Sequence, residues 1–237
     1  MLNVSVYKMP NIIDLSIKNS NSLKGFALLL LLCHHLFYNV NDDYCDIYIG
    51  HGQYLFHSIA MQSKLCVAIF VFLSGYGLMR QVNGGILNLR SFYQRRMTKL
   101  MMNYWLIWLL FVPMGILFFD RTFAIVYGEE FLVLKFAADI LGISNAFGFF
   151  GYNATWWFYS VIIILYLLFP LLYKYRRYWV LQIIIGIVVY YLLPWRGIGM
   201  YLLHFCTGMA VANNKITPPV IGINYGLRWR FSHSSLR

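Results

Sequence analysis

Six long runs of apolar residues limit what this chain can fold into more than any other feature of its sequence. They cover residues 25–40, 58–79, 101–119, 155–173, 178–193 and 200–212. Inside a bilayer every backbone polar group needs a partner within the protein, so apolar runs of this length form helices. The sequence therefore predicts an all-α, polytopic transmembrane helix bundle with about six spans.

The composition and the distribution of charge predict how the bundle is oriented. Hydrophobic residues make up 60% of the chain and charged residues 11%, whereas soluble domains carry about 25% charged residues. The net charge of +11 arises mainly in residues 1–24, 80–100 and 174–177 and in the tail. By the positive-inside rule these segments face the cytoplasm, which predicts a multi-pass protein of the inner (plasma) membrane with both termini cytoplasmic. The basic loops then face membrane lipid or an anionic ligand, and no nucleic-acid partner is expected.

Two segments depart from the pattern of membrane spans. Residues 131–150 carry Lys135, Asp139 and a Gly-rich stretch, which predicts an interfacial helix followed by a loop. The tail holds Pro218 and Pro219 with scattered Arg and Ser residues. We therefore expect a membrane domain over residues 1–212 and a polar tail, disordered or frameshifted, over residues 213–237.

The first span carries a cation and an imidazole on one face. Lys24 and His35 are eleven residues apart, which on a helix is about three turns, or roughly 16 Å, at nearly the same azimuth. A neutral imidazole accepts a proton readily near neutral pH, so His35 is a candidate catalytic residue. The alternative is an interhelical hydrogen bond that holds two helices together. Whether His34 or His204 assists is left open, and no metal site is expected.

A basic cluster stands at the start of the third span. Arg96 and Lys99 are i, i+3 neighbours on one helix face, and Arg95 precedes them. Guanidinium and ammonium groups at this spacing suit the phosphates of a ligand. The alternative is ordinary anchoring at the cytoplasmic membrane surface.

Two further clusters supply candidate substrate residues. Ser74 and Tyr76 lie in a stretch of small residues that also favours close helix packing. Trp156 and Trp157 open the fourth span, where a Trp pair either stacks on a sugar ring or anchors the helix at the aromatic belt.

Together these clusters resemble the acyltransferase 3 family of integral-membrane acyltransferases over residues 22–212. The first helix of that family has a basic residue, ten residues and then His, which corresponds to Lys24 and His35. Three further family motifs are similar to stretches of this chain, namely Phe70-Val71-Phe72-Leu73-Ser74-Gly75-Tyr76, Arg95-Arg96-Met97-Thr98-Lys99 with Tyr104-Trp105, and Thr155 and Trp157-Phe158-Tyr159-Ser160-Val161 with Tyr166 and Pro170. Four motifs in the family's order make the match specific.

The resemblance implies a membrane-bound enzyme that transfers an acetyl or other short acyl group to a cell-surface or exopolysaccharide sugar. Acetyl-CoA is then a co-substrate, no cofactor is bound, and the partners are the acyl-CoA donor, the glycan acceptor and lipid. His35 becomes the candidate catalytic residue, with donor binding by Lys24, Arg95, Arg96 and Lys99. The candidate substrate residues are Ser74, Tyr76, Trp156 and Trp157.

The chain also departs from the family pattern. Lys24 replaces the usual Arg, Ile162 stands where many members have an acidic residue, and Met102 stands where a Pro is common. Family members have about ten helices, so six predicted spans suggest C-terminal truncation or a frameshift near residue 213. The alternatives are a non-enzymatic component of glycan or lipid translocation, or an inactive remnant of an acyltransferase. The sequence leaves the oligomeric state open.

Overall fold

The computed structural model of the chain describes residues 15–39, 46–82, 85–193 and 197–213. These residues are mostly helical. The helices are α1 (Ile17–Phe37), α2 (Leu55–Gln62), α3 (Leu65–Val82), α4 (Leu89–Phe119), α5 (Phe123–Tyr127), α6 (Leu132–Ile140), α7 (Trp157–Lys174), α8 (Trp179–Leu192) and α9 (Gly197–Ala212). Two short strands, β1 (Tyr48–Gly50) and β2 (Gln53–Tyr54), pair antiparallel in a hairpin before α2.

Each of the six predicted spans overlaps a helix, and the all-α, membrane-like helical fold is confirmed. The first span differs in its bounds, since residues 25–40 were predicted and α1 covers Ile17–Phe37. Three stretches are long and apolar enough to cross a membrane by length and composition, namely Leu55–Val82, Leu89–Phe119 and Ala154–Lys174. The first of them joins α2 to α3 through Ser63 and Lys64, and we call it the α2–α3 helix. The cytoplasmic position of the termini stays a prediction, since residues 1–14 and 214–237 lie outside the described residues, as does most of the predicted tail.

Helix α1 runs antiparallel to the α2–α3 helix. At one end the Leu15 backbone N–H donates to the Tyr76 hydroxyl at 3.0 Å. At the other end His34 Nδ1 lies 2.8 Å from the Ala60 carbonyl oxygen. The two contacts pair the start of α1 with the end of α3 and the end of α1 with α2, so the face of α1 between them packs on these helices.

The closest helix contact joins α3 to α9. A Cβ at Gly75 would overlap the Phe205 carbonyl oxygen, and a Cβ at Gly208 would overlap the Phe72 carbonyl oxygen. Lipid chains are as apolar as Leu, so helices in a bilayer associate mainly through such close packing, which small residues permit. The small residues around Ser74 therefore include one, Gly75, that brings two backbones together, as the packing alternative expects.

The main core lies where α3, α7 and α9 meet. Val71, Leu165, Phe169 and Phe205 are all fully buried there. The rings of Phe169 and Phe205 meet edge to face with centroids 6.3 Å apart. This aromatic contact joins α7 to the α3–α9 pair.

A second cluster holds α5 and α6 against α4 and the start of α7. Its centre is Asp139, which is fully buried. Tyr127 Oη donates to Asp139 Oδ2 at 2.5 Å, the Tyr152 backbone N–H donates to the same oxygen at 2.8 Å, and Tyr104 Oη lies 3.2 Å from Asp139 Oδ1. The helix and loop predicted over residues 131–150 are present as α6 and a 3₁₀ turn at Ser144–Phe147.

The hydroxyl of Tyr127 stays protonated in this cluster. Burial, followed by the hydrogen bond to Asp139, raises the pKa of Tyr127 well above its usual value. Tyr127 therefore remains a hydrogen-bond donor throughout the physiological range. A buried carboxylate is tolerated when its oxygens accept several such bonds, and Asp139 fixes the α5–α6 segment in this way.

We predict that Gly75→Ala destabilises the protein by about 1–3 kcal/mol, because the added Cβ overlaps backbone and not a side chain that can move. The measurement is thermal unfolding of the purified protein in detergent micelles. Gly77→Ala is the matched control, since a Cβ at Gly77 meets nothing within 4 Å. It should unfold at the wild-type temperature or above it, because Ala favours a helix more than Gly. Equal melting of both variants would contradict the α3–α9 contact.

We predict a graded effect of two substitutions at Asp139. Asp139→Leu leaves the Tyr127 hydroxyl and the Tyr152 N–H buried without an acceptor, which costs about 1–3 kcal/mol for each group. Asp139→Asn retains one acceptor oxygen for both donors and should lose much less stability. The check is the same thermal unfolding assay, and the expected order is wild type, then Asn, then Leu. A Leu variant as stable as the wild type would show that the cluster does not hold α5 and α6.

Candidate functional site

The predicted catalytic face of α1 lies away from its packed face. Lys24 and His35 are both exposed, whereas Ala27 is fully buried and His34 is partly buried. Both residues lie within the continuous helix α1, so their spacing places them on one side of it, and their predicted roles stay predictions. His35 lies near the end of α1, which stops at Phe37. The structure brings His35 to the α2 end of the α2–α3 helix and leaves Lys24 nearer the α3 end.

Three imidazoles and Tyr38 form a chain of ring contacts at this end of the molecule, and we call the imidazoles the imidazole cluster (His34, His35 and His57). The ring centroids of His34 and His35 are 5.3 Å apart, those of His34 and Tyr38 are 5.1 Å apart, and those of Tyr38 and His57 are 6.2 Å apart. Lys64 Nζ lies 5.2 Å from the Tyr38 ring centroid. Sequence reasoning singled out His35 and did not consider His57.

Asp46 orders the first turn of α2 beneath this cluster. Its carboxylate accepts hydrogen bonds from the backbone N–H groups of Phe56 at 2.8 Å and His57 at 2.9 Å. Desolvation of the carboxylate acts to raise its pKa, but the bonds from the backbone N–H groups outweigh it and hold the pKa of Asp46 below its usual value. A negative side chain at a helix N-terminus also interacts favourably with the helix dipole. His57 is thus carried on a turn whose backbone is fixed.

The basic cluster lies at the opposite end of the α2–α3 helix. A cavity of about 330 Å³, which we call the basic cavity, is formed between the end of α3 and the start of α4. Its lining combines polar with apolar side chains and consists of Gln81, Val82, Ile86, Leu87, Asn88, Phe92, Arg95 and Arg96. The predicted pair Arg95 and Arg96 therefore faces a cavity, which plain membrane anchoring does not require.

Two contacts orient the arginines of the basic cavity. The Arg96 guanidinium donates to Gln81 Oε1, which joins α4 to the end of α3. Arg95 Nε donates to the Ser91 carbonyl oxygen at 3.1 Å, one turn back on α4. Lys99 is exposed and does not line this cavity. Sequence reasoning missed Gln81, because an amide at the end of an apolar helix carries no signal of its contact with a distant residue.

Two of the predicted acceptor residues hold helices together. The Ser74 hydroxyl lies 3.2 Å from the Tyr166 hydroxyl and so joins α3 to α7. Tyr76 is buried and its hydroxyl accepts from the Leu15 N–H. These contacts place Ser74 and Tyr76 between helices, and their predicted role toward a sugar stays a prediction.

The two tryptophans lie in different surroundings. Trp156 is buried with its ring edge to face against Tyr104, at a centroid distance of 5.5 Å. Trp157 is partly buried and stacks on Tyr201 at 5.8 Å. Both rings are thus occupied by aromatic neighbours, and the structure does not bring them to the imidazole cluster.

Comparison with known protein families identifies a match over most of the chain. The model of an acyltransferase domain, that of the acyltransferase 3 family, matches residues 17–224. The search of curated proteins and the search of solved structures returned no match. The matched region contains α1 through α9 and therefore both the imidazole cluster and the basic cavity.

Proposed function

This chain belongs to the acyltransferase 3 family, and from that membership we propose that it transfers an acetyl or other short acyl group from acetyl-CoA to a sugar hydroxyl of a cell-surface or exopolysaccharide. Family membership establishes acyl transfer in general. The basic cavity is the observation that supports acetyl-CoA as the donor. Two guanidinium groups and two side-chain amides line this cavity of about 330 Å³.

The basic cavity suits the phosphates of a coenzyme A thioester. Arg95 and Arg96 supply charged donors, and an arginine binds a phosphate through two parallel hydrogen bonds. The Gln81 contact holds the Arg96 guanidinium at the rim between α3 and α4, which reduces the conformational freedom lost on binding. On the predicted topology this end of the molecule faces the cytoplasm, where acetyl-CoA is present.

The exposed face of α1 offers a path for the acyl group toward the other side of the membrane. Lys24 stands nearer the basic cavity and His35 about 16 Å further along the same face. We propose that the thioester arm extends along this face. In this arrangement Lys24 contacts a further phosphate or the thioester carbonyl of the donor. His35 contacts the hydroxyl group of the acceptor.

The proposed reaction is a direct acyl transfer. The sugar hydroxyl oxygen attacks the thioester carbonyl carbon while His35 accepts the hydroxyl proton. The carbon–sulfur bond breaks, and the departing thiolate takes the proton from the imidazolium. The products are a sugar ester and free coenzyme A, and His35 returns to its neutral form. If His35 instead carries the acyl group, its nitrogen attacks the thioester carbonyl carbon, the carbon–sulfur bond breaks and the coenzyme A thiolate leaves. The sugar hydroxyl oxygen then attacks the carbonyl carbon of the acyl-imidazole, the carbon–nitrogen bond breaks, and the hydroxyl proton passes to the thiolate.

We predict that Arg95→Gln and Arg96→Gln each raise the KM for acetyl-CoA by at least about tenfold, because a hydrogen bond to a charged group contributes about 1.5–3 kcal/mol. The KM of the wild type should also rise with ionic strength, since salt screens these contacts. The measurement is the initial rate of acetyl transfer in proteoliposomes with acetyl-CoA on the side of the basic cavity.

Arg90→Gln is the matched control for this series. Arg90 lies in the first turn of the same helix, is exposed and does not line the basic cavity. Its KM should equal that of the wild type. Lys99→Gln tests whether the exposed Lys99 side chain contributes to the KM for acetyl-CoA. A KM that is unchanged in the Arg95 and Arg96 variants would mean that the cluster only anchors the helix.

We predict that His35→Ala lowers the rate of acetyl transfer by about 10²–10⁴-fold, the usual contribution of a general base. His34→Asn is the companion variant, because the Asn amide can still donate to the Ala60 carbonyl while the imidazole is removed. Its rate should remain close to that of the wild type if His34 only joins α1 to α2. Transfer that continues at the wild-type rate in His35→Ala would exclude the proposed role.

A further inference from the structure

A second cavity lies beside the imidazole cluster, and we call it the polar cavity. It has a volume of about 380 Å³ and is lined by Gly52, Gln53, His57, Ser58, Met61 and Gln62. The turn of the β-hairpin and one side of α2 form its walls. Its volume is at the small end of the range for sites that bind small molecules.

The lining of the polar cavity suits a neutral ligand with several hydroxyl groups. Gln53 and Gln62 each have both donor and acceptor atoms, and the Ser58 hydroxyl also donates and accepts. Among the described residues that line it, none carries a formal charge apart from the titratable His57. The basic cavity, in contrast, is lined by two positively charged side chains, Arg95 and Arg96. The chemistry of the polar cavity therefore favours a sugar over a phosphate or a carboxylate.

The tautomer of His57 is set by its hydrogen bond. His57 Nδ1 lies 2.7 Å from the Tyr38 carbonyl oxygen. A carbonyl oxygen can only accept, so Nδ1 carries the proton and the lone pair of the neutral ring is on Nε2. Because Asp46 also fixes the His57 backbone, this acceptor atom is held in place beside the cavity before any ligand binds.

The positions of the two cavities fit a donor and an acceptor on opposite sides of a membrane. Along an uninterrupted helix Ser58 and Gln81 would be about 35 Å apart, and the turn at Ser63 and Lys64 makes this the greatest separation of the two ends. The hydrocarbon core of a bilayer is about 30 Å thick. His57 is also next to Tyr38, whose ring contacts His34, which in turn contacts His35. A chain of three ring contacts thus links the polar cavity to the imidazole proposed as the base, which lies at the same end of the molecule.

We propose that the polar cavity is the acceptor subsite and binds one neutral sugar unit. Gln53, Ser58 and Gln62 hydrogen-bond its hydroxyl groups, and His57 Nε2 accepts a hydrogen bond from one of them. This assignment rests on the proposed function, because it takes the sugar to be the acceptor of the acyl group. His57 is here a binding residue, and proton removal from the reacting hydroxyl stays with His35.

The first test measures ligand protection of His57 in the wild-type protein. Diethyl pyrocarbonate modifies accessible imidazole nitrogens, and mass spectrometry of the peptide that contains residues 51–57 follows His51 and His57 together. The probes are methyl glucoside, methyl galactoside, methyl mannoside and N-acetylglucosamine, with inorganic phosphate as the charged comparison. His51 is exposed and does not line the cavity, so it serves as an internal control.

We expect at least one of the sugars to slow modification of His57 several-fold while His51 reacts at its original rate. Phosphate should leave both rates unchanged. The proposal is overturned if every sugar leaves the His57 rate unchanged, if His51 and His57 are slowed equally, or if phosphate protects His57 better than the sugars do. This readout does not depend on enzyme activity.

The second test is kinetic and uses His57→Asn. The Asn amide can still donate to the Tyr38 carbonyl but has no counterpart of Nε2, so a purely structural role of His57 would be preserved. We expect the KM for the acceptor to rise about tenfold, the effect of one lost hydrogen bond to a ring nitrogen, with the KM for acetyl-CoA unchanged. His51→Asn is the control, since Asn tolerates the positive φ of 52° at that position.

The two tests separate this proposal from the proposed function. Suppose that sugars protect His57 but the wild type transfers acetyl to none of them and to no polysaccharide. The proposal that a sugar is the acyl acceptor then fails, and the proposal that the polar cavity binds a sugar is retained. If the wild type acetylates a polysaccharide and the arginine variants raise the KM for acetyl-CoA, but His57→Asn leaves the acceptor KM unchanged, the polar cavity is not the acceptor subsite.

Discussion

The direct contact between the backbones of α3 and α9 is the interaction on which the rest of this structure depends. Burial of apolar surface does not drive helices together in lipid, so close approach of two backbones has to do so. Gly75 and Gly208 allow that approach because each occupies a position where a Cβ would overlap a carbonyl oxygen of the other helix. Since α3 continues into α2, this contact also sets the position of the helix that carries both cavities.

The two cavities lie at opposite ends of the α2–α3 helix and have different linings. At one end arginines and amides line a cavity, and at the other end amides, a hydroxyl and an imidazole line a second one. Helix α1 is hydrogen-bonded to the α2–α3 helix at two places. Leu15 contacts Tyr76 in α3, and His34 contacts Ala60 in α2. Helix α1 therefore lies along the α2–α3 helix from Tyr76 to Ala60. In the function proposed above, its exposed face is the surface that connects donor and acceptor.

The buried carboxylate of Asp139 has a structural part in this arrangement. It lies outside the six predicted spans and is fully buried, with two tyrosine hydroxyls and a backbone N–H around it. Such a group stabilises this arrangement of α4, α5, α6 and the loop before α7, because moving the donors away leaves the buried carboxyl oxygens without hydrogen bonds. The Ser160 hydroxyl, which donates to the Gly142 carbonyl at 2.7 Å, fastens the same loop to α7.

The sequence by itself determined the apolar helices, the family and the common face of Lys24 and His35 on the first helix. Hydropathy is a local property, so the six spans could be predicted one at a time, and the spacing of Lys24 and His35 follows from the period of a single helix. The contact of Arg96 with Gln81, the burial of Asp139 and the position of His57 beside Tyr38 were decided by the tertiary structure. Each of these joins residues from different helices, or from a helix and a distant loop. No periodicity within one segment encodes which segments pack together, because in a membrane that choice depends on how closely two particular backbones can approach.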